Sequence, residues 1–163
     1  MIRRLIAGDS AIFRAIRLEA LQTAPEAFAS RYEDWAAMDD AEWERRLLTN
    51  PTFVSFIDAD PVGIMGLMRQ APSKMQHRAS LIMVYVRDSA RGGGHAEALL
   101  AEIQKHAVKT GISQLELDVA EDNTRAVRFY ERMGFTKMGR IPNACRDGAT
   151  YRHDIFMVRP LDT

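Results

Sequence analysis

The sequence lacks the features that define several large classes of protein. It has a single cysteine, Cys145, which excludes an internal disulfide and a multi-cysteine metal site and fits a reducing cytoplasm. It has no run of ~18 uncharged apolar residues, so neither a membrane-spanning helix nor a membrane partner is expected. The first residues, MIRRLIAGDS, lack the apolar core of about seven residues that a secretory signal needs. We therefore predict a cytoplasmic protein.

An excess of positive charge is also missing. Lysine plus arginine and aspartate plus glutamate number 22 each, whereas nucleic-acid-binding domains are usually basic. One local cluster of basic residues can form a solvated face or meet a ligand phosphate, and consists of Arg125, Arg128, Arg132, Lys137 and Arg140. We expect no nucleic-acid partner, and we predict no metal site.

The 163 residues are predicted to form one domain over residues 1–163, because no repeat or linker divides them. Helical spacing of apolar residues predicts helices near residues 10–21, 26–48 in two pieces, 96–110 and 123–133. Strands are predicted between them, with ASLIMVYV central because it is apolar on both faces. The last two strands, FTKMGRI and TYRHDIFMV, are predicted to be separated by a polar loop. This order indicates an α+β or α/β fold.

The segment RGGGHA, residues 91–96, places three glycines just before a predicted helix. A triphosphate-binding loop is excluded, because no glycine in the chain is followed by lysine. The dinucleotide pattern GxGxxG fits Gly92 and Gly94, but its third glycine falls on Glu97 and the turn does not directly follow a strand. A glycine-rich loop without a ligand remains the alternative from these residues alone.

Two blocks of the sequence resemble the GNAT superfamily of N-acetyltransferases. The family's first block, Gln/Arg-x-x-Gly-x-Gly/Ala at a helix start, is matched by Arg91, Gly94 and Ala96. Its second block is matched by Asn123, Ala126, Tyr130, Gly134 and Phe135. The resemblance implies the GNAT fold, a central mixed and mostly antiparallel sheet of six to seven strands flanked by about four helices.

The resemblance also implies acetyl-coenzyme A (acetyl-CoA) as the acyl donor. Amides at a helix start lack intrahelical partners, and residues without Cβ let them face phosphate oxygens, so the glycine turn would hold the pyrophosphate. Strand backbone would pair with the pantetheine amides as an added strand does. The cofactor-binding residues implied by the resemblance are Val84, Tyr85, Val86, Arg91, Gly92, Gly93, Gly94, His95, Ala96, Asn123, Ala126 and Phe129.

By the same resemblance, Tyr130 is the general acid that protonates the sulfur of coenzyme A. A phenol with an ordinary pKa near ~10 is protonated at neutral pH, although a tyrosine buried in the core is the alternative interpretation. The attacking amine must lose a proton, so a carboxylate base is expected. In LELDV, Glu116 and Asp118 share the face opposite the leucines, and we predict Glu116 as the base, with Asp154 or His153 next.

The activity implied is N-acetyl transfer from acetyl-CoA to a primary amine of a small molecule or of a peptide or protein N-terminus. The amine would attack the thioester directly, through a tetrahedral intermediate. Residues 19–44 carry eight acidic residues and one basic residue, Arg31, which favours a cationic acceptor unless they form a solvated face. The alternative function is a non-catalytic domain of the same fold that binds or senses acyl-CoA. The resemblance is also compatible with a homodimer.

Overall fold

The computed structural model describes residues 1–162 and contains one seven-stranded sheet and five α-helices. The strands are β1 (Ile2–Arg4), β2 (Thr52–Ile57), β3 (Asp60–Arg69), β4 (Arg78–Val86), β5 (Gln114–Ala120), β6 (Thr136–Asp147) and β7 (Thr150–Pro160). The helices are α1 (Ser10–Thr23), α2 (Tyr32–Ala36), α3 (Asp40–Thr49), α4 (His95–Lys109) and α5 (Thr124–Arg132).

The strands lie in the order β1-β2-β3-β4-β5-β7-β6, which places β4 at the centre, as its apolar sequence predicts. Every neighbouring pair is antiparallel except β4 and β5, which are parallel. A parallel pair requires a crossover connection, and α4 supplies it. The start of α4 and the carboxyl ends of β4 and β5 therefore meet at one edge of the sheet.

Each face of the sheet is covered by helices. One hydrophobic core contains Leu99, Leu100 and Ile103 of α4 together with side chains of α5, and the other contains side chains of α1, α2 and α3. Neighbouring residues of a strand alternate between these cores, as Phe53 and Val54 of β2 do. Because apolar positions along each helix recur on one side, both layers bury a continuous stripe against the sheet.

The predicted fold class and strand number are confirmed. The helical region before β2 comprises a 3-10 turn at Pro25–Ala27 followed by α2 and α3, so it has more pieces than expected.

The prediction of a polar loop between the last two strands is wrong. Residues up to Asp147 continue β6 and pair with β7, with a register shift between Ile141 and Cys145, and the turn itself is short. None of the helices within residues 1–162 is long and apolar enough to cross a membrane.

Candidate functional site

The central parallel strands separate at their carboxyl ends. Strands β4 and β5 pair only from Arg78 opposite Gln114 to Ser80 opposite Glu116, although both strands continue further. A cleft of about 2210 Å³ opens where the pairing ends, and residues of both strands line it. The separation exposes backbone groups along β4 that a ligand can use in place of a neighbouring strand.

A bulge in β4 lies at this separation. Ile82 pairs with Gly66 and Tyr85 with Ile64, so β4 has one residue more than β3 over the same length. Met83 has a φ of 56°, an uncommon value for a residue with a side chain. A Cβ on Gly66 would lie 2.6 Å from Cε of Met83, so the glycine makes room for the bulge. Bulges bend a strand, and this one occurs where β4 departs from β5.

The glycine turn connects the end of β4 to α4. Gly92 and Gly94 have φ values of 79° and 76°, a region that favours glycine, and a Cβ on either would meet no atom within 4 Å. The first backbone bond of the helix runs from the amide of Ala98 to the carbonyl of Gly94 (3.0 Å). The preceding amides, from His95 onward, therefore have no intrahelical partner and lie at the positive end of the helix dipole.

Arg91 stands at the rim of the turn. Its Nε donates to the carbonyl of Val86 (3.1 Å), and its guanidinium also pairs with Asp88. These bonds tie the side chain to the end of β4.

Eleven of the twelve predicted cofactor-binding residues line the cleft, all except Gly93. A Cβ on Gly93 would lie 3.2 Å from the carbonyl oxygen of Ala90, so this glycine serves close packing within the turn.

Helix α5 forms the opposite wall of the cleft. Asn123 caps it, because its side chain accepts a hydrogen bond from the amide of Ala126 (3.2 Å). Tyr130 is buried between Phe129 and Phe135, with ring centroids 5.3 Å and 5.6 Å away. Burial raises the pKa of the Tyr130 phenol above its ordinary value, so it remains protonated at neutral pH. Tyr130 also lines the cleft.

Glu116, the carboxylate predicted as a base, lies outside the cleft. It is 3% exposed and accepts hydrogen bonds from Arg78 Nε (3.0 Å) and Nη2 (2.9 Å). The side chains of Gln70 and Gln114 donate to it as well, at 3.1 Å and 3.4 Å. A carboxylate held by three side chains and not lining the cleft is placed for structure, so the geometry argues against Glu116 as the base.

The two other predicted candidates differ in placement. His153 does not line the cleft, and its Nδ1 accepts a hydrogen bond from the amide of Asn143 (2.9 Å). Asp154 lines the cleft but is buried and accepts two hydrogen bonds from Arg152, at 2.7 Å and 2.9 Å. This bidentate pair engages both carboxylate oxygens, so the geometry favours Asp154 as the partner of Arg152 over a role as the base.

Unlike Glu116 and Asp154, Asp118 of β5 is open to the cleft. It lines the cavity from β5, on the same sheet face as Asp154, and makes no ion pair within residues 1–162. Burial raises the pKa of Asp118, repulsion by Asp154 and Glu116 raises it further, and Arg152 opposes the shift. A raised pKa suits a group that takes up a proton near neutral pH. The sequence signal that could have pointed to Asp118 is its position. It lies two residues nearer than Glu116 to the carboxyl end of β5, where β5 can separate from its parallel neighbour β4.

The other half of the cleft is enclosed by α1, the segment after it, and the β6–β7 hairpin. Arg31 Nη2 donates to Asp147 (2.8 Å), and Arg152 Nη1 donates to the carbonyl of Glu26 (3.3 Å). These contacts bridge the two segments across the cleft. On α1, Glu19 accepts hydrogen bonds from the hydroxyl of Tyr85 (3.1 Å) and from Arg87 (2.8 Å). The Tyr85 side chain is thereby engaged with α1, which leaves its backbone for any contact with a cofactor.

Comparison with known proteins gives a consistent result. The model of the acetyltransferase (GNAT) family matches residues 15–135. The chain is 32% identical over 120 residues to a mycothiol acetyltransferase of Brachybacterium faecium, covering 70% of this chain but 36% of that protein. It is 29% identical over 161 residues to the uncharacterised N-acetyltransferase YafP of Escherichia coli, covering 98% of this chain and 95% of YafP. The chain thus spans about a third of the first relative and nearly all of the second.

Solved structures share the fold. An acetyltransferase of the GNAT family from Streptococcus pneumoniae superimposes with a TM-score of 0.86 at 20% identity, covering 99% of each chain. A phosphinothricin acetyltransferase from Sinorhizobium meliloti, solved in complex with acetyl-CoA, gives a TM-score of 0.82 at 19% identity, covering 99% of this chain and 88% of that one. At these identities the likeness concerns the fold alone, whereas the family match extends over most of the chain. The chain belongs to the acetyltransferase (GNAT) family.

Proposed function

We propose that the protein transfers an acetyl group from acetyl-CoA to a primary amine of a small molecule or of a peptide or protein N-terminus. The observation that carries the proposal is the juxtaposition of two features in one cleft. The unpaired amides at the start of α4 form one end of it, and the protonated hydroxyl of Tyr130 is available beside the separated strands. The structural relative from Sinorhizobium meliloti was solved with acetyl-CoA, which supports this choice of donor.

The residues at the cleft fit such a donor. The amides from His95 onward offer hydrogen bonds and partial positive charge to a pyrophosphate, and the absence of Cβ at Gly92 and Gly94 lets it approach. The unpaired edge of β4 near Val84 offers backbone groups to the amides of the pantetheine arm. On the far wall, Asn123, Ala126 and Phe129 would contact the arm as it passes α5.

Two side chains would move the protons of the reaction. Asp118, directly or through water, takes a proton from the ammonium form of the acceptor, whose ordinary pKa is near ~10.4. The free amine then forms a bond to the thioester carbonyl carbon, and the carbon–sulfur bond breaks. Tyr130 donates its proton to the departing sulfur and regains one from the nitrogen of the new amide. The products are the N-acetylated acceptor, coenzyme A and one proton released through Asp118.

The lone cysteine gives a weaker indication of where this reaction takes place. Cys145 is free and partly exposed in the structure. A free thiol fits a reducing compartment, and we infer a cytoplasmic location on that ground.

Calorimetric titration with acetyl-CoA tests the binding part of the proposal. The wild-type protein should bind acetyl-CoA, and Gly94→Glu should lose the binding because the new side chain enters the turn. Gly111→Glu is the matched control, since Gly111 has a φ of 80°, has open space around its Cβ position and lies outside the cleft. Equal loss in both variants, or no binding by the folded wild-type protein, would contradict the proposed site.

Release of the coenzyme A thiol in the presence of amines tests the catalytic part. Acetyl-dependent thiol release with at least one primary amine, and formation of its N-acetyl product by mass spectrometry, are the expected results. Tight binding of acetyl-CoA without turnover across α-amino acids, aminosugars, polyamines and peptide N-termini would instead identify a non-catalytic acyl-CoA-binding domain.

A further inference from the structure

Arg17 is a buried cation without an acceptor. It lies on α1, is 3% exposed, and its Nε and Nη1 have no hydrogen-bond partner. Its Cζ lies 4.8 Å from the ring centroid of Phe28 and 4.5 Å from that of Trp35. These rings attract the positive charge, but they offer no lone pairs of the kind that the N–H donors need. The hydrogen-bonding capacity of the guanidinium is therefore unused.

The neighbouring acidic residues do not compensate Arg17. Glu42 pairs with Arg45 and Arg46, and Glu19 pairs with Arg87, so these carboxylates are already neutralised. Burial lowers the pKa of Arg17 to about 10, and the charge of Arg46 contributes, yet the group remains protonated at neutral pH. A buried charge without a partner destabilises a fold, so its presence calls for an anion from outside the chain.

The position of Arg17 indicates where that anion would lie. Arg17 lines the same cleft as Asp118 and Tyr130, in the half enclosed by α1 and the segment after it. Nε and Nη1 are fully buried, but Nη2 is not. Because Arg17 lines the cleft, Nη2 is the nitrogen through which the guanidinium reaches the open cavity. Through this nitrogen the guanidinium can donate a charge-assisted hydrogen bond to a carboxylate in the cavity.

We propose that Arg17 determines acceptor specificity by binding a carboxylate of the acceptor, so that the substrate class is amines that also carry a carboxylate, such as α-amino acids. This inference rests on the proposed function, since it assigns the acceptor of that same site. The acceptor carboxylate lies on Arg17 and its amine lies toward Asp118. The acidic surplus of residues 19–44 points instead to a cationic acceptor, but three of its eight carboxylates, those of Glu19, Asp40 and Glu42, are already ion-paired within the fold.

The first arm of the test measures turnover. The kcat/KM of the 163-residue protein is determined with saturating acetyl-CoA for the twenty α-amino acids, their α-carboxamides and spermidine. The wild-type protein should prefer the best carboxylate over its carboxamide by about tenfold or more, as expected for a hydrogen bond to a charged group. In Arg17→Met this ratio should fall toward one, mainly through the KM of the carboxylate, and Arg17→Lys should lie between the two.

Arg14→Met is the matched control on the same helix. Arg14 pairs with Asp40 on the surface and does not line the cleft, so this variant should keep the wild-type ratio. Circular dichroism and the affinity for acetyl-CoA show whether each variant is folded. A wild-type preference for carboxamides or spermidine would overturn the inference, and so would a carboxylate preference that survives in Arg17→Met.

The second arm separates this inference from the proposed function. Calorimetric binding of N-acetyl-L-leucine and N-acetylglycine is compared with that of their carboxamides, which requires no turnover. A carboxylate preference in the wild-type protein that is lost in Arg17→Met would support the anion site even if no amine were acetylated, in which case the proposed function alone would fail. Equal binding of carboxylates and carboxamides, or no binding of any of them, would reject Arg17 as the anion site.

Discussion

Asp118 and Asp154 share one face of the sheet on neighbouring strands, but only Asp154 is held by an arginine. Arg152 donates to both oxygens of Asp154, while burial and the nearby negative charges raise the pKa of Asp118. One carboxylate thus has both oxygens engaged by an arginine, whereas the other has a raised pKa and no ion pair within residues 1–162. Two carboxyl groups in different environments are a common basis for dividing chemical roles.

The first prediction concerns the pH dependence of activity. Because Asp118 must be deprotonated to act as a base, kcat/KM should rise with pH through its raised pKa and then level off, unless the acceptor amine titrates first. Asp118→Asn should lower kcat by about 10²-fold or more and remove that acidic limb. Steady-state kinetics from pH 5 to 9 would measure both effects, and an unchanged profile in Asp118→Asn would exclude it as the base.

The second prediction concerns stability, which Asp118→Asn should raise at neutral pH although it lowers activity. A carboxyl group whose pKa is higher in the folded state than its unfolded value of about 3.9 binds more protons when folded. Stability from this group is therefore present at low pH and is lost as pH rises through the folded pKa. Asp118→Asn removes the charge, so its Tm should exceed the wild-type Tm at pH 7 to 8, with a smaller difference near pH 4. Thermal unfolding of both proteins at the two pH values measures this difference. A Tm of Asp118→Asn at or below the wild-type Tm at neutral pH would contradict the prediction.

The third prediction concerns Glu116, whose substitution should lower stability and leave activity nearly unchanged. Glu116→Gln keeps one acceptor oxygen but places an NH₂ group among donors from Arg78 and Gln70, so we expect a loss of about 1–3 kcal/mol in unfolding free energy. The kcat should stay close to the wild-type value, because the side chain lies outside the cleft. Urea unfolding and steady-state kinetics on the same preparation would check both. A fall in kcat comparable to that of Asp118→Asn, at unchanged stability, would restore Glu116 as the base.

The fourth prediction concerns Tyr130. Tyr130→Phe keeps the ring packed against Phe129 and Phe135 but removes the proton, so kcat should fall by about 10²- to 10⁴-fold while the affinity for acetyl-CoA changes little. Because burial raises the phenol pKa above its ordinary value near ~10, the wild-type protein should lose no activity through Tyr130 ionisation below pH 10. Kinetics and calorimetry at several pH values separate the two parameters. Full kcat in a folded Tyr130→Phe variant would show that another group protonates the sulfur.

The comparison of Glu116 with Asp118 shows which parts of this site can be predicted from sequence. The glycine turn, the Asn123 cap and the position of Tyr130 follow from local signals, because each depends on residues within a few positions of one another. The choice between two carboxylates on one strand depends on distant residues. Arg78 pairs with Glu116 from the neighbouring strand, and the separation of β4 from β5 exposes Asp118.

Arg17 and the β6–β7 hairpin illustrate the same limit. Arg17 lies among apolar residues on an amphipathic helix, where an arginine is ordinarily exposed, but in the fold it is buried and the rings of Phe28 and Trp35 pack against it. Residues 142–147 have the composition of a loop, but they continue β6 and Cys145 to Asp147 pair with β7, and such tertiary pairing overrides local strand propensity.

The last prediction separates the conformational role of a glycine from its role in binding. Gly94 and Gly111 flank α4, have φ values of 76° and 80°, and have no atom within 4 Å of an added Cβ. Alanine at either position should therefore lower the unfolding free energy by a similar amount, about 1 kcal/mol, because a left-handed conformation is costly for a residue with Cβ. Only Gly94→Ala places its methyl group beside the free amides at the start of α4, so only this variant should weaken acetyl-CoA binding. Urea unfolding and calorimetric titration of both variants would test the pair. Wild-type affinity in Gly94→Ala would mean that this glycine serves the turn alone, and the pyrophosphate would have to lie elsewhere along the cleft.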